Sequence, residues 1–282
     1  MINGKVPQFA VRERGKWRRA GAIAQTALNH HPMHRSHNYK HLIQRWRCVA
    51  QSAGLKLTRF ATSSEWPVYF LRTSRAPETR TIYISAGIHG DEPAGCEAMI
   101  AWAEKNLGLF KSQPFVLFPC LNPWGLINNS RVDDHGRDLN RGFGKRPGTS
   151  PVRELKRLIR GEKFALSLTL HEDYDGQGVY VYEVQRDRPF WGEELLEVAH
   201  SLIAVEPRRM IDGRRARGGL VRRTIDLKKF PLIPEAVYLH LRHSHRTFTI
   251  ETPSEFALET RVAVQVAIME ECIRRSLNEV AK

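Results

Sequence analysis

Three strand-length apolar runs in this chain each end on a histidine or a glutamate. Thr81-Ile82-Tyr83-Ile84-Ser85-Ala86 breaks at Gly87 and delivers His89-Gly90-Asp91-Glu92. Phe164-Ala165-Leu166-Ser167-Leu168-Thr169-Leu170 runs into His171, and Phe248-Thr249-Ile250 runs into Glu251 ahead of Pro253. Strands that read as near-continuous apolar runs are buried on both faces, as in parallel sheets sandwiched between helices. Ligands of such sheets bind beyond the carboxyl ends of the strands. The expected fold is therefore α/β, a mostly parallel or mixed twisted sheet with helices on both faces, and its strand ends should carry the chemistry.

The intervening segments fit that scheme. Apolar positions at Leu42, Ile43, Trp46, Val49 and Ala50 recur at helical spacing and predict a helix over Tyr39–Ala53, ended by Gly54. Residues 55–60 and 67–72 read as strands paired at a sheet edge. Pro93 suits the first turn of a helix running to about Asn106. Phe115–Cys120 reads as another buried strand, followed by a long polar loop from Leu121 to about Ser150. Val179–Val184 reads as a strand and Pro189–Ile203 as a helix. A final amphipathic helix is expected over Ser254–Val280.

Imidazole and carboxylate both bind zinc, and a catalytic zinc takes three protein ligands plus a water. His89 and Glu92, three residues apart, with the distant His171 form a His₂Glu set of that kind. Glu251, directly after a buried strand, is placed to serve as a general base. The loop containing Arg131-Val132-Asp133-Asp134-His135-Gly136-Arg137-Asp138-Leu139-Asn140-Arg141 carries guanidinium groups suited to binding a carboxylate or a developing oxyanion.

Bulk properties narrow the classes. The 282 residues suffice for one large or two small domains, and 41% hydrophobic with 26% charged residues is a globular composition. No stretch approaches the roughly 18 apolar residues of a membrane span, and the N-terminus has no apolar signal core. Cys48, Cys96, Cys120 and Cys272 form no CxxC pair and read as small buried hydrophobes of a reducing, cytoplasmic compartment. There is no GxxxxGK phosphate loop and no GxSxG elbow.

Residues 1–32, with Arg12, Arg14, Lys16, Arg18 and Arg19, read as a loosely ordered basic leader before a domain at 33–282. It has the composition of a transit-like peptide, a nucleic-acid arm, or translation from upstream of a start at Met33. His30, His31, His34, His37 and His41 read as a solvated histidine-rich tract. The net charge of +14 is concentrated further along, in an Arg/Gly-rich stretch at 208–229. That stretch would be a solvated loop, a lid selecting acidic substrates, or the face of a basic nucleic-acid-binding or scaffold protein. The last class lacks aromatic interleaving and any nucleic-acid motif.

Five motifs, His89-Gly90-Asp91-Glu92, Asn122-Pro123-Trp124-Gly125, Asp138-Leu139-Asn140-Arg141, Leu170-His171 and Thr249-Ile250-Glu251, occur in the order found in zinc carboxypeptidases. Over about residues 65–275 the chain resembles the M14 family of metallopeptidases. The resemblance implies one Zn²⁺ per chain held by His89, Glu92 and His171, with Asp138 orienting His89. It further implies Arg131 at the scissile carbonyl, Asn140 and Arg141 on the substrate's free carboxylate, and Glu251 as general base. Three positions depart from the family pattern: Asp133 replaces an asparagine, Glu172-Asp173 replaces a serine or threonine, and only Tyr238 offers itself as a lid tyrosine. The expected activity is release of a C-terminal residue from a peptide, with acidic or cell-wall-type peptides suggested by the basic stretch. The rival within the superfamily is an N-acyl amino acid deacylase of the aspartoacylase and succinylglutamate desuccinylase type. Against it stand the nine-residue spacing of Arg131 and Asn140 and the single helix after Glu251, which leaves no room for an added β domain.

Overall fold

The computed structural model describes residues 35–73, 80–144, 148–185, 188–222 and 232–280. The basic leader, His30, His31 and His34 of the histidine tract, and residues 223–229 of the Arg/Gly stretch lie outside the described residues.

Eight strands form one sheet: β1 (Leu57–Ser63), β2 (Trp66–Arg72), β3 (Ile82–Ala86), β4 (Phe115–Phe118), β5 (Leu166–Asp173), β6 (Tyr180–Gln185), β9 (Leu220–Arg222) and β10 (Arg246–Pro253), in the spatial order β1-β2-β4-β3-β5-β10-β6-β9. The central run β4-β3-β5-β10 is parallel, while β1, β2 and β6 pair antiparallel to their inner neighbours. The sheet is thus mixed, as expected, and its parallel centre holds all three strands singled out above.

Alternation along the strands sorts the core into two layers. Ile82, Ile84, Leu166, Leu168, Leu170, Phe248 and Ile250 face α1 (Tyr39–Ser52), α2 (Pro93–Lys105), α6 (Gly192–His200) and α8 (Leu258–Val280). Tyr83, Val116 and Phe118 face the other way, toward α5 (Val152–Leu158) and α7 (Glu235–Arg242). Because side chains alternate, Thr169, His171, Thr249 and Glu251 must share this second face.

Several expectations change in detail. The polar loop after β4 contains a short helix, α4 (Pro123–Asn128), and a 3₁₀ turn at Leu139–Arg141. The final helix starts at Leu258 rather than Ser254, because the Ser254 N–H turns back to the Asp173 carbonyl. Helix α7 was not anticipated from the sequence. Three of the four cysteines are buried and all four are free, but Cys48 is exposed: it lies on the outer side of α1, opposite Leu42, Trp46 and Val49.

The Arg/Gly stretch is not one loop. Met210–Ile211 (β7) and Arg214–Arg215 (β8) form a hairpin, and β9 joins the main sheet as its edge strand beside β6. Asp212 and Gly213 link β7 to β8 with positive φ at both residues, 49° and 67°. That is the type I′ geometry that Asp-Gly favours, so an Asp-Gly signal was present beneath the arginines.

Candidate active site

The first motif is built by close packing. Gly87 has φ 62°, and a Cβ at Gly90 would lie 1.9 Å from the Gly125 carbonyl carbon, so the two motif loops interlock only through glycine. Asn122 fixes the partner loop, accepting from the Gly125 N–H (3.0 Å) and donating to the Val132 carbonyl (3.1 Å). The result holds His89 and Glu92 against the end of β5. His89 Nδ1 lies 2.6 Å from Glu92 Oε1, and His171 Nδ1 lies 2.7 Å from Glu92 Oε2. All three residues are buried, and their ligating atoms lie within 4.8 Å of one another.

A buried carboxylate with an imidazole nitrogen on each oxygen is a set of donors around one point. In the absence of a cation the group satisfies itself with protons. Burial alone would depress the His89 pKa, but Glu92 and Asp138 hold the proton and raise it to about 9. His171 is raised for the same reason, against its own burial, by Glu92. Burial would raise Glu92, yet the two imidazoles hold it well below the usual carboxylate range. Two imidazoles and a carboxylate are the donor types and number of a hydrolytic zinc site, so the residues fit the metal.

Asp138 accepts from His89 Nε2 at 3.3 Å, and its Oδ1 also accepts the Asn140 N–H at 2.9 Å. Burial would raise this carboxyl, but His89, Arg141 and Arg131 bring it down to about 2. If His89 holds a metal ion, Asp138→Asn should weaken its binding by about 10- to 100-fold, the usual worth of a carboxylate behind a metal-bound histidine, as read by zinc competition with a chromogenic chelator.

Glu251 lies opposite His171 across the parallel β5–β10 pair, and Tyr180 lies opposite Glu251 on β6. These three residues therefore form a row across the sheet, at the ladder spacing of roughly 4.8 Å per strand. Burial pushes the Glu251 carboxyl up to about 8; His171 opposes this, while Glu92, Asp173 and Asp212 reinforce it. It is the only carboxyl among the expected site residues held in the neutral range, where a proton acceptor is most effective.

Arg131 donates to Glu92 Oε1 (3.2 Å) and Asp138 Oδ2 (3.4 Å), and nearly half of its side chain is exposed to the pocket. The Asn140 side-chain oxygen accepts the Glu235 N–H at 2.8 Å, which turns its NH₂ away from α7. Arg141 Nη1 donates to the Asn140 carbonyl. His89, Glu92, Arg131, Asn140, Arg141, His171 and Glu251 all border one pocket of about 620 Å³.

The three departures have structural explanations. Buried Asp133 accepts the His135 and Arg137 N–H groups and pairs with the Arg137 guanidinium, closing the turn before Asp138. Glu172 projects to the opposite face, where it accepts the Ala94 N–H at the start of α2 (2.8 Å) and pairs with Arg261 of α8. Four residues further along α8, Gln265 donates to the His171 carbonyl. Tyr238 is not at the site: it packs against Phe143 and His243. The aromatic residues that do border the pocket are Tyr180 and Tyr182. The one-residue alternation Val179-Tyr180-Val181-Tyr182 was the signal for them, since it puts both rings on the polar face of β6.

The sequence profile of the succinylglutamate desuccinylase/aspartoacylase catalytic domain matches residues 78–182. Mouse carboxypeptidase D is 28% identical over 179 residues, 53% of this chain and 13% of that protein, and the human protein is 28% identical over 168 residues. Among solved structures, a Shewanella amazonensis SB2B protein superposes with a TM-score of 0.74 at 21% identity, covering 85% of this chain and 94% of that one. A metallo-carboxypeptidase from Burkholderia cenocepacia gives 0.64 at 16% identity, covering 86% and 70%. One from Pseudomonas aeruginosa, in complex with (2-guanidinoethylmercapto)succinic acid, gives 0.59 at 17%, covering 82% and 68%. Residues 78–182 thus resemble the succinylglutamate desuccinylase/aspartoacylase catalytic domain, the chain spans only 13% of the length of the mouse carboxypeptidase D it matches, and the solved structures share its fold.

Proposed function

We propose that this chain is a zinc-dependent carboxypeptidase that releases the C-terminal residue of a peptide, with His89, Glu92 and His171 as the metal ligands. The observation that carries the reading is the convergence of two imidazoles on one buried carboxylate, in register with a buried glutamate of raised pKa. Zinc, when bound, would supply the Lewis acidity that activates water and polarises the carbonyl. Glu251 would take the proton from the attacking water at its carboxylate and return it to the leaving amine. Arg131, held by Glu92 and Asp138, would donate to the carbonyl oxygen as negative charge develops there. Asn140 and Arg141 would hold the terminal carboxylate and so fix which bond lies beside Glu251.

Exposed apolar side chains favour a peptide. Met210 and Leu232 border the pocket at 56% and 58% exposure, and Tyr174, between the pocket-lining Asp173 and Asp175, is 75% exposed. Such a rim suits the residues that precede the cleaved bond. The desuccinylase/aspartoacylase profile supports the second reading, hydrolysis of an N-acyl amino acid at the same centre. Incubation with free-C-terminal peptides, their amidated counterparts and N-acyl amino acids, with and without chelator, separates the two by mass spectrometry. Chelator-sensitive loss of one residue from free C-termini alone is the expected result. Cleavage of only the acyl amino acids would move the assignment to the deacylases.

Arg141→Ala should lower kcat/KM on free-C-terminal peptides by about 100-fold, as expected for loss of a charge-assisted contact. An equal loss on amidated peptides would remove its clamp role. Among the described residues no helix is long and apolar enough to cross a membrane. The four free cysteines fit a reducing, cytoplasmic setting, which we propose for the chain.

A further inference from the structure

Glu92 stands at the N-cap of α2, yet its side chain makes no capping bond, because its two oxygens meet His89 and His171 instead. A cap residue ordinarily accepts from an N–H two or three residues on, and a buried N–H left without an acceptor is costly. Pro93 has no N–H to satisfy, so the first orphan donor of α2 is that of the buried Ala94. A different residue accepts it. Glu172 Oε2, from the end of β5, lies 2.8 Å from the Ala94 nitrogen.

Glu172 thus grips the turn that carries Glu92 at two points. Its own N–H donates to Glu92 Oε2 at 3.2 Å, the same oxygen that meets His171 Nδ1. Its side chain anchors the backbone two residues beyond Glu92. The other Glu172 oxygen pairs with Arg261 of α8, and the Glu172 side chain is wholly removed from solvent. That guanidinium offsets a carboxylate that would otherwise stand buried beside Glu92, where desolvation and like charge both oppose it. One turn further along α8, Gln265 donates to the His171 carbonyl and to Thr252 Oγ1, both at 2.9 Å. Gly95 admits α2 to this corner, since a Cβ there would lie 2.8 Å from Leu170 Cβ.

We propose that Glu172 is a positioning residue for the metal centre, a helix cap supplied from β5 that frees the Glu92 carboxylate for zinc and fixes where it lies. The inference rests on the reading of His89, Glu92 and His171 as the metal ligands. A side chain cannot both cap its own helix and point away from it toward a cation. With the cap supplied by another element, α2 keeps a satisfied N-terminus and Glu92 keeps both oxygens for the site. Arg261 acts one step further back, by making the burial of Glu172 tolerable.

The test compares two double variants without recourse to turnover. Zinc affinity is read by competition with a chromogenic chelator, and ligand geometry by the d–d absorption of the cobalt(II)-loaded protein. Both variants remove the ion pair, so neither leaves a lone buried charge; they differ in whether Ala94 keeps an acceptor. Glu172→Met with Arg261→Met leaves none. Its zinc affinity should fall by about 10- to 100-fold, the scale of losing a partner behind a ligand, and its cobalt spectrum should change. Glu172→Gln with Arg261→Met keeps an amide oxygen for Ala94, and should stay within about threefold of the unmodified protein with the spectrum retained. Glu172→Asp, which draws the carboxylate back by one methylene, should lose at least about fivefold in affinity, and it carries the test if the first double variant does not fold. Equal zinc affinity in the two double variants, or unchanged affinity in Glu172→Asp, overturns the inference; loss of zinc binding in His89→Ala would still leave the ligand assignment standing. No zinc bound by the unmodified protein, or binding undiminished in His89→Ala, overturns the ligand assignment and the inference together.

Discussion

Glu251→Gln should retain one zinc per chain and lose at least about a hundredfold in kcat, the lower end of what a general base contributes. The substitution is nearly isosteric and removes only the capacity to accept a proton. The zinc should stay because Glu251 is not among the converging donor atoms of His89, Glu92 and His171. The loss should fall on kcat rather than KM, since the proposed carboxylate clamp lies on the 3₁₀ turn at Leu139–Arg141 and not on β10. Initial rates together with metal analysis decide the matter. Near-normal turnover in a zinc-replete variant would remove Glu251 from the chemistry. The acid limb of the pH profile should disappear with the carboxyl group. In the metal-free protein that group is raised to about 8, and a bound dication would draw it lower by favouring the carboxylate.

The second large effect is on metal affinity and its dependence on pH. Metal binding requires the protons on His89 and His171 to leave. His89 holds its proton up to about 9, and His171 is raised above its ordinary value. Zinc affinity should therefore climb by at least about a hundredfold between about pH 6 and about pH 8, as protons cease to compete. The stability of the metal-free protein should run the other way. A group whose folded pKa lies above its unfolded value stabilises the fold at low pH, and that stability is lost as pH rises through the folded value. Glu172 at about 7, Glu251 at about 8 and His89 at about 9 all have this sign. The gap in Tm between zinc-loaded and metal-free protein should widen over the same interval. Paired thermal melts would show it, and a constant gap would mean that His89 and His171 are not the proton-linked ligands.

The catalytic half of the site was legible because it is written into strands. A buried apolar run has one end that ligands can reach, and His89, His171 and Glu251 each stand at such an end. Arg131, the proposed oxyanion donor, and Asn140 and Arg141, the proposed clamp, could be singled out only through resemblance, since they lie in a loop whose composition is that of any charged surface. The charge pairings of the hairpin segment were not legible from composition. Counting arginines in the 208–229 stretch gives a positive field, but Arg208 is offset by Glu206 and Asp173, and the turn exposes Asp212 instead. Those pairings are set by tertiary packing across β5, β6 and the hairpin, which linear spacing does not encode. Helix α7 was missed for a similar reason: its eight residues sit between the stretch and β10 with only Val237, Leu239 and His240 buried after its first residue.

The row formed by His171, Glu251 and Tyr180 has a mechanical consequence. Neighbouring strands at the centre of a sheet cannot shift register without breaking a ladder of backbone hydrogen bonds, so the spacing of two of these groups is set by main chain alone. Glu251 and His171, the proposed proton acceptor and third metal donor, therefore belong to the slowest-opening part of the molecule. The hairpin that carries Asp212 has two-residue strands and a small apolar footing, and would exchange its amide protons far sooner. The short hairpin bordering the pocket could thus change in sequence with little effect on the register that sets His171 against Glu251 beneath it.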